Sequence, residues 1–213
     1  MTVVKICGLS EPITMHAALE AGADMVGLVF FAKSPRNVNV EQAAALAKMA
    51  KGKATVVALV VDADDKLLRL ITKRVRPDFF QAHGNETPAR VSEIAKLTGV
   101  KVIKALAVRE AEDVAKAQSY DGKAELILFD AKAPETLKNA LPGGNGVSFD
   151  WTLLNGSKGQ FMLSGGLNPE NVAEAIRVTG APIVDVSSGV ESSPGIKDTA
   201  LIRKFIEQAK LSG

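Results

Sequence analysis

The sequence contains a single cysteine among 213 residues. A disulfide within the chain needs two cysteines, and zinc fingers and CxxC redox motifs also need more than one, so all three are excluded. The lone thiol belongs to Cys7, near the N-terminus. A protein without a disulfide framework suits a reducing compartment, and we expect this one to be cytoplasmic.

The sequence also lacks an excess of charge and a long hydrophobic run. The 26 Lys and Arg residues nearly balance 24 Asp and Glu residues, which leaves a formal net charge of +2. Neutralising many phosphates along a nucleic acid requires a clear basic excess, so we expect no nucleic-acid partner. The longest apolar run, residues 25–32, is far shorter than the roughly 20 residues that span a bilayer. Because the N-terminus also lacks the features of a secretion signal, we expect a soluble protein with no membrane partner.

What the sequence does contain is a repeated alternation of two patterns. Short apolar runs rich in β-branched residues alternate with longer stretches of helical period that are rich in Ala, Glu and Lys. At 46% hydrophobic and 23% charged residues, the chain can fill a large core and should be ordered. The apolar runs predict strands over residues 3–7, 25–30, 55–61, 79–83, 101–107, 126–130, 161–164 and 183–187. The periodic stretches predict helices over residues 13–21, 41–50, 64–75, 88–97, 110–118, 169–178 and 199–209, with a short helix at 151–154.

This alternation of strands and helices predicts a parallel sheet, either an open doubly wound sheet or a closed eight-stranded barrel. An open nucleotide-binding sheet usually has a glycine-rich fingerprint after its first strand, where this sequence has CGLSEP. No linker or change in composition divides the chain. We therefore predict one α/β catalytic domain over residues 1–213, a (β/α)8 TIM barrel of eight parallel strands with an outer ring of helices.

A barrel of this kind places catalytic groups at the C-terminal ends of its strands. Side chains alternate between the two faces of a strand, so Lys5 and Cys7 share the inward face of the first strand. The same count turns Asp130 inward at the end of the sixth strand and Asp185 inward on the eighth. Because the first and eighth strands adjoin in a closed barrel, we expect Lys5 to pair with Asp185 below the mouth.

Glycines cluster at three places in the last third of the chain, residues 143–146, 165–166 and 187–189. The second and third clusters directly follow the seventh and eighth predicted strands. Glycine allows backbone N–H groups to approach an anion closely, and these two loops form the usual phosphate site of the barrel. Ordinary turns are the alternative, which two clusters after adjacent strands disfavour. The predicted phosphate-binding residues are Gly144, Gly146, Gly165, Gly166, Ser188 and Gly189.

Eight short segments carry distinctive combinations of residues: KICG at 5–8, SPR at 34–36, QAHG at 81–84, GGNG at 143–146, FDW at 149–151, LSGGLNP at 163–169, DVSSGVE at 185–191 and PGIKD at 194–198. In residues and in order they resemble the phosphoribosylanthranilate isomerase family from the first strand to the last helix. The sequence departs from the family pattern at Asn37, where an aromatic residue is usual, at Ala82, where Leu is usual, and at Asn145, where Thr is usual. Ala82 should face the helices, whereas Asn37 and Asn145 lie near the expected substrate.

The resemblance implies an Amadori rearrangement in tryptophan biosynthesis. An aminoaldose, N-(5-phosphoribosyl)anthranilate, becomes the aminoketose 1-(2-carboxyphenylamino)-1-deoxyribulose 5-phosphate. An acid protonates the ring oxygen so that the ring opens to a Schiff-base cation, and a base then removes the proton from C2. These steps require neither a redox cofactor nor a metal, and the partner is a small phosphorylated aminosugar.

The resemblance also implies roles for four residues. Cys7 is the candidate base, although a lone cysteine at a strand end is more often a small buried hydrophobe. Asp130 is the candidate acid, although an aspartate after a strand more often belongs to a surface turn. Arg36 is the candidate ligand of the anthranilate carboxylate, since its planar fork suits bidentate binding. His83, inward with Gln81 at the end of the fourth strand, either contacts the substrate or forms a hydrogen bond at the barrel rim.

Two other functions remain open at this point. The aminoaldose isomerase of histidine biosynthesis performs the same rearrangement on a substrate with two phosphates, but its family has Asp where Cys7 stands and resembles two mirrored half-barrels. A non-catalytic phosphosugar-binding barrel is the second, and the presence of both Cys7 and Asp130 argues against it. For the assembly, we expect a monomer or a homodimer.

Overall fold

A computed structural model describes residues 2–134, 141–155, 157 and 159–212. Eight parallel strands close into a barrel in which each strand pairs with the next in chain order and the eighth returns to the first. The predicted fold class is therefore confirmed. The strands are β1 (Val3–Cys7), β2 (Met25–Phe30), β3 (Thr55–Val60), β4 (Phe79–Ala82), β5 (Lys101–Val108), β6 (Leu126–Ala131), β7 (Phe161–Leu163) and β8 (Ile183–Val186).

Helices connect the strands around the outside of the barrel. Several begin where the sequence supplies a capping side chain: Asn39 accepts a hydrogen bond from the Gln42 amide at 2.8 Å, and Asp64 accepts one from the Leu67 amide at 2.8 Å. The helices are α1 (Pro12–Glu20), α2 (Val40–Ala50), α3 (Asp65–Arg74), α4 (Pro88–Thr98), α5 (Ala111–Ala115), α6 (Val172–Thr179) and α7 (Thr199–Leu211). Short 3₁₀ helices span Lys116–Tyr120, Trp151–Leu154 and Ser188–Val190. Of the helices in the described part of the chain, none combines the length and hydrophobicity needed to cross a bilayer.

The structure differs from the predicted elements in three places. Helix α6 begins at Val172 rather than at residue 169, because the side chain of Asn168 accepts from the amides of Glu170 and Asn171 and closes a turn first. The predicted helix over 110–118 is instead α5 followed by a 3₁₀ helix. After β8 the chain forms an antiparallel hairpin that the apolar pattern did not indicate, β9 (Glu191–Ser193) and β10 (Ile196–Lys197).

The core has three parts, of which the smallest consists of Cys7, Val29 and Leu59 at the ends of β1, β2 and β3. A large outer cluster fills the space between the strands and the helices, and it includes Ala82, which faces the helices as expected. A smaller cluster fills the barrel itself with side chains such as Val57, Ile103 and Leu128. Since the interior is packed with apolar groups, the polar residues at the strand ends are held in fixed positions above it.

Candidate active site

One cavity opens at the C-terminal ends of the strands and encloses about 720 Å³ of empty space, part of it open to solvent at the mouth. Cys7 reaches it from β1, Asp130 from β6 and Asp185 from β8, while His83 and Arg36 reach it from the residues that follow β4 and β2. Strand alternation thus predicted the inward direction of Cys7, His83, Asp130 and Asp185 correctly.

Cys7 is buried, with 3% of its surface exposed. The adjacent position on β2 is Gly27, and a Cβ there would lie 2.8 Å from Sγ of Cys7 and 3.2 Å from Nζ of Lys5. Gly27 therefore leaves room for both side chains, a role that the sequence did not reveal. Burial raises the pKa of the Cys7 thiol, and the positive charge of Lys5 opposes this rise without cancelling it.

Lys5 and Asp185 form the predicted ion pair. Nζ of Lys5 donates to Oδ1 of Asp185 at 2.8 Å, and both side chains are buried. The second oxygen, Oδ2, accepts from the hydroxyl of Ser164 at 3.3 Å. Burial alone would lower the pKa of Lys5, but attraction to Asp185 and to Cys7 outweighs it and raises the pKa above its ordinary value. Lys5 therefore carries a positive charge beside Cys7 at neutral pH.

Asp130 and His83 lie in contact. Oδ2 of Asp130 is 3.2 Å from Nε2 of His83, and Oδ1 accepts from the Ala131 amide at 2.9 Å. Gly143 packs directly over the pair, because a Cβ on Gly143 would lie 2.5 Å from Nε2 of His83 and 2.6 Å from Oδ2 of Asp130. The alternative of a solvated turn aspartate is wrong, since only 6% of the Asp130 side chain is exposed.

Gln81 completes a row of three polar groups with His83 and Asp130. It is fully buried on β4, and its Nε2 donates to Nδ1 of His83 at 2.8 Å. Oε1 of Gln81 is also buried, yet it has no hydrogen-bond partner among the described residues. His83 therefore forms a hydrogen bond at the barrel rim and also borders the cavity, and its contact with the substrate stays a prediction.

Arg36 is held by an acidic partner that the sequence did not identify. Its Nε and Nη2 donate to the two carboxylate oxygens of Glu191 at 2.7 and 2.8 Å, and Nη2 also donates to the Gly144 carbonyl at 3.2 Å. Only 5% of Arg36 is exposed. The remaining nitrogen, Nη1, has no hydrogen-bond partner among the described residues. It lies against Gly144, since a Cβ added to Gly144 would be 2.7 Å from Nη1. Arg36 lines the cavity, and binding of an anion by Nη1 stays a prediction.

The hairpin of β9 and β10 supplies Glu191 and a second cation, Lys197. Nζ of Lys197 donates to Oε1 of Glu191 at 2.5 Å and to the carbonyl of Ser187 at 3.0 Å. Burial lowers the pKa of Lys197 although Glu191 attracts its proton. Burial alone would raise the pKa of Glu191, but Arg36 and Lys197 hold it below its usual range. The segment DVSSGVE was the available signal, because it ends on this glutamate.

The glycine loops form the other end of the cavity. Gly144, Gly146, Gly165 and Gly166 border it with φ of 72°, 71°, 89° and 66°, a region that favours glycine. Ser188 borders the cavity as well. Gly189 lies behind the lining, where a Cβ would be 1.9 Å from the Leu167 carbonyl oxygen, so it lets the loops after β7 and β8 approach each other. A direct contact of Gly189 with phosphate stays a prediction.

Of the two departures expected near the substrate, Asn145 has a local explanation, whereas nothing in the structure explains Asn37. Asn145 closes its own loop, accepting from the Leu141 amide at 3.0 Å and donating to the Leu141 carbonyl at 2.7 Å. It therefore shapes the glycine loop through two hydrogen bonds within the loop. Asn37 is exposed, and its backbone forms an isolated parallel β-bridge with Val29 of β2.

The whole chain is similar to proteins of one family. Residues 4–208 match the family model described as N-(5'-phosphoribosyl)anthranilate (PRA) isomerase. A protein of Rhodopseudomonas palustris strain BisA53 named N-(5'-phosphoribosyl)anthranilate isomerase is 55% identical over 209 residues, which cover 97% of this chain and 95% of that protein.

Solved structures of similar proteins have the same fold. The phosphoribosyl anthranilate isomerase of Thermotoga maritima aligns with a TM-score of 0.88 at 36% identity and covers 99% of both chains. A phosphoribosyl anthranilate isomerase in complex with reduced 1-(o-carboxyphenylamino)-1-deoxyribulose 5-phosphate aligns with a TM-score of 0.85 at 34% identity, again over 99% of both chains.

Proposed function

The chain belongs to the phosphoribosylanthranilate isomerase family, and we propose that Cys7 and Asp130 are the base and the acid with which it performs that family's reaction. It is an isomerase of tryptophan biosynthesis, and its reaction turns N-(5'-phosphoribosyl)anthranilate into 1-(2-carboxyphenylamino)-1-deoxyribulose 5-phosphate. The observation that carries the assignment is that Cys7 and Asp130 line one cavity, together with Arg36 and the glycine loops.

In the first step Asp130 donates its proton to the furanose ring oxygen. The bond between C1 and that oxygen breaks, and the anilino nitrogen supplies the electron pair for a Schiff-base cation. Support for this role comes from the position of Asp130, which is buried at the cavity wall with Oδ2 next to His83. Burial of the carboxyl group excludes bulk water from the proton transfer.

In the second step the Cys7 thiolate removes the proton from C2, and the resulting enolamine tautomerises to the ketone. A thiol whose pKa is raised by burial is mostly protonated in the empty site. The Schiff-base cation formed in the first step adds a positive charge, which favours the thiolate at the moment it is needed. Lys5 attracts the same thiolate from below. The order of the two steps therefore explains how a buried thiol acts as a base.

Binding groups at the two ends of the cavity fix the substrate between Cys7 and Asp130. Nη1 of Arg36 is the proposed ligand of the anthranilate carboxylate, and His83 is a proposed contact at the sugar. The proposed phosphate ligands are the backbone amides and hydroxyl at Gly144, Gly146, Gly165, Gly166, Ser188 and Gly189. Such anchoring of non-reacting groups orients the sugar for proton transfer.

A trapping experiment distinguishes the two catalytic roles. Purified Cys7→Ala protein should still open the ring, so that cyanoborohydride reduces the accumulated Schiff base to a stable amine. Asp130→Asn protein should yield little of this amine, because the ring stays closed. Equal trapping by both variants would contradict the assignment, and so would normal turnover by either one.

The family match selects this activity over the two-phosphate isomerase of histidine biosynthesis and over a non-catalytic barrel. We further propose that residues 1–213 form one catalytic domain, which the pairing of β1 with β8 in a closed barrel supports. The protein is cytoplasmic, where Cys7 would remain reduced. It functions as a monomer or a homodimer.

A further inference from the structure

The row Gln81–His83–Asp130 contains a feature that the two catalytic steps do not use. Gln81 lies between Leu59 of β3 and Ile103 of β5 in strand register, and both neighbours are buried apolar residues. Its Oε1 is buried without a hydrogen-bond partner among the described residues. A buried carbonyl oxygen without a donor is costly, so its presence beside a titratable ring requires a reason.

With the Gln81 carboxamide in this orientation, the hydrogen bonds imply one protonation of the row. Because Nε2 of Gln81 donates to Nδ1 of His83, Nδ1 accepts and the ring proton is on Nε2. Nε2 of His83 then donates to Oδ2 of Asp130, which accepts as a carboxylate. In this state Asp130 has no proton to give to a substrate.

The acid-competent state needs one more proton, taken from solvent. Oδ1 of Asp130 already accepts from the Ala131 amide, so the added proton belongs on Oδ2, which then donates to Nε2 of His83. The ring proton must now be on Nδ1, facing Gln81. Nδ1 then requires an acceptor where the Gln81 amide nitrogen now lies.

A half-turn of the Gln81 carboxamide supplies that acceptor, because its two arms are a donor and an acceptor of nearly equal size. We propose that Gln81 is a positioning residue that follows the protonation of the His83–Asp130 pair. Its nitrogen faces His83 when Asp130 is a carboxylate, and its unpartnered Oε1 turns to His83 when the pair holds the proton that Asp130 delivers. This inference rests on the proposed role of Asp130 as the acid.

Other charged groups surround the row. Cys7, Arg36 and Asp185 border the same cavity. Behind the row, Nζ of Lys104 donates to the carbonyls of Ala82 at 3.3 Å and Gly84 at 2.7 Å, on either side of His83. Lys104 is itself paired with Glu86, whose Oε2 is 2.7 Å away. None of these groups is changed in the variants below, so differences between variants report on Gln81.

Nitrogen NMR tests the proposal in the resting enzyme, because the chain has only two histidines. His16 is exposed beside Glu20 and serves as an internal reference. In spectra recorded over a series of pH values, the side-chain amide signals of Gln81 should change together with the protonation of Nδ1 of His83. Amide signals that stay constant while Nδ1 titrates would overturn the proposal, as would an Nδ1 whose protonation does not change.

Two variants extend the test to activity. Gln81→Glu presents only acceptors when ionised, so it should raise the midpoint for Nδ1 protonation by about one pH unit, the effect of a hydrogen bond of ordinary strength. Gln81→Met, which has no partner for Nδ1, should lower kcat about tenfold with little change in KM, whereas the exposed control Gln118→Met should match wild type. An unchanged midpoint in Gln81→Glu, or wild-type kcat in Gln81→Met, would contradict the proposal.

If Asp130 were not the acid, Asp130→Asn would stay active while the wild-type NMR titration was still observed. Failure of the proposed function and failure of this inference are therefore distinguishable.

Discussion

Arg36 and Glu191 form a bidentate ion pair, with Nε donating to Oε1 at 2.7 Å and Nη2 donating to Oε2 at 2.8 Å. The two residues are 155 positions apart in the sequence. Because Glu191 occupies one edge of the guanidinium group, Nη1 is directed toward the cavity. The hairpin after β8 therefore determines the orientation of a residue that follows β2.

Replacing Glu191 with Gln should raise KM about tenfold and change kcat less, since a mobile Arg36 binds the substrate carboxylate less well. The variant also leaves two buried cations without their anion, so its free energy of unfolding should fall by about 3–5 kcal/mol. Steady-state kinetics and thermal denaturation measure the two effects. Glu174→Gln is the matched control, because the ion pair of Glu174 with Arg177 is exposed and contributes little. Equal effects of both substitutions would contradict this account of Arg36.

The same pair predicts how stability depends on pH. Arg36 and Lys197 hold the folded-state pKa of Glu191 below its unfolded value, against the effect of burial. A carboxyl group with a lowered pKa stabilises the protein above its unfolded pKa of about 4.3 and loses this contribution as the pH falls further. The stability difference between wild type and Glu191→Gln should therefore be constant near neutral pH and shrink below about pH 4.3. Urea denaturation over that range measures it, and a difference that grows in acid would contradict the assignment.

Substitution of Gly143 with Ala should damage catalysis more than stability. A methyl group there would lie 2.5 Å from Nε2 of His83 and 2.6 Å from Oδ2 of Asp130, so it would press directly on the pair. We expect kcat to fall at least about tenfold, because small displacements of an acid greatly reduce proton transfer. Gly122→Ala is the control for backbone strain without a steric clash, since Gly122 has a φ of 68° and nothing lies within 4 Å of its added Cβ. Full activity in Gly143→Ala would show that the glycine loop does not constrain the pair.

Cys7 makes a simple probe because the sequence contains no other thiol. Burial raises the pKa of the thiol, and Lys5 opposes the rise. The rate of alkylation by iodoacetamide should therefore increase with pH and still be increasing at pH about 8.5. Lys5→Met removes the attraction and should move this rise to still higher pH. A variant whose alkylation profile matches wild type would show that Lys5 does not influence the thiolate. Circular dichroism must confirm that the variant is folded, since Asp185 is then left unpaired.

The barrel and the inward residues could be predicted from sequence because they depend on local patterns. Strand alternation places Cys7 and Asp130, and closure of the barrel brings Lys5 to Asp185. Glu191 and Gly143 were not recognised because their roles depend on contacts with Arg36, His83 and Asp130, which are distant in the chain. No periodic pattern records such contacts. Residues 135–140, which follow β6, lie outside the described residues.

The most direct test of the central claim is the rate at which the protein and two variants consume phosphoribosylanthranilate, followed by the fall in anthraniloyl fluorescence. Wild type should turn over the substrate, whereas Cys7→Ala and Asp130→Asn should each be slower by roughly 10²- to 10⁴-fold, the usual contribution of a positioned acid or base. Both variants should still bind the reduced product analogue. Wild-type rates in either variant would contradict the assignment of Cys7 as the base and Asp130 as the acid.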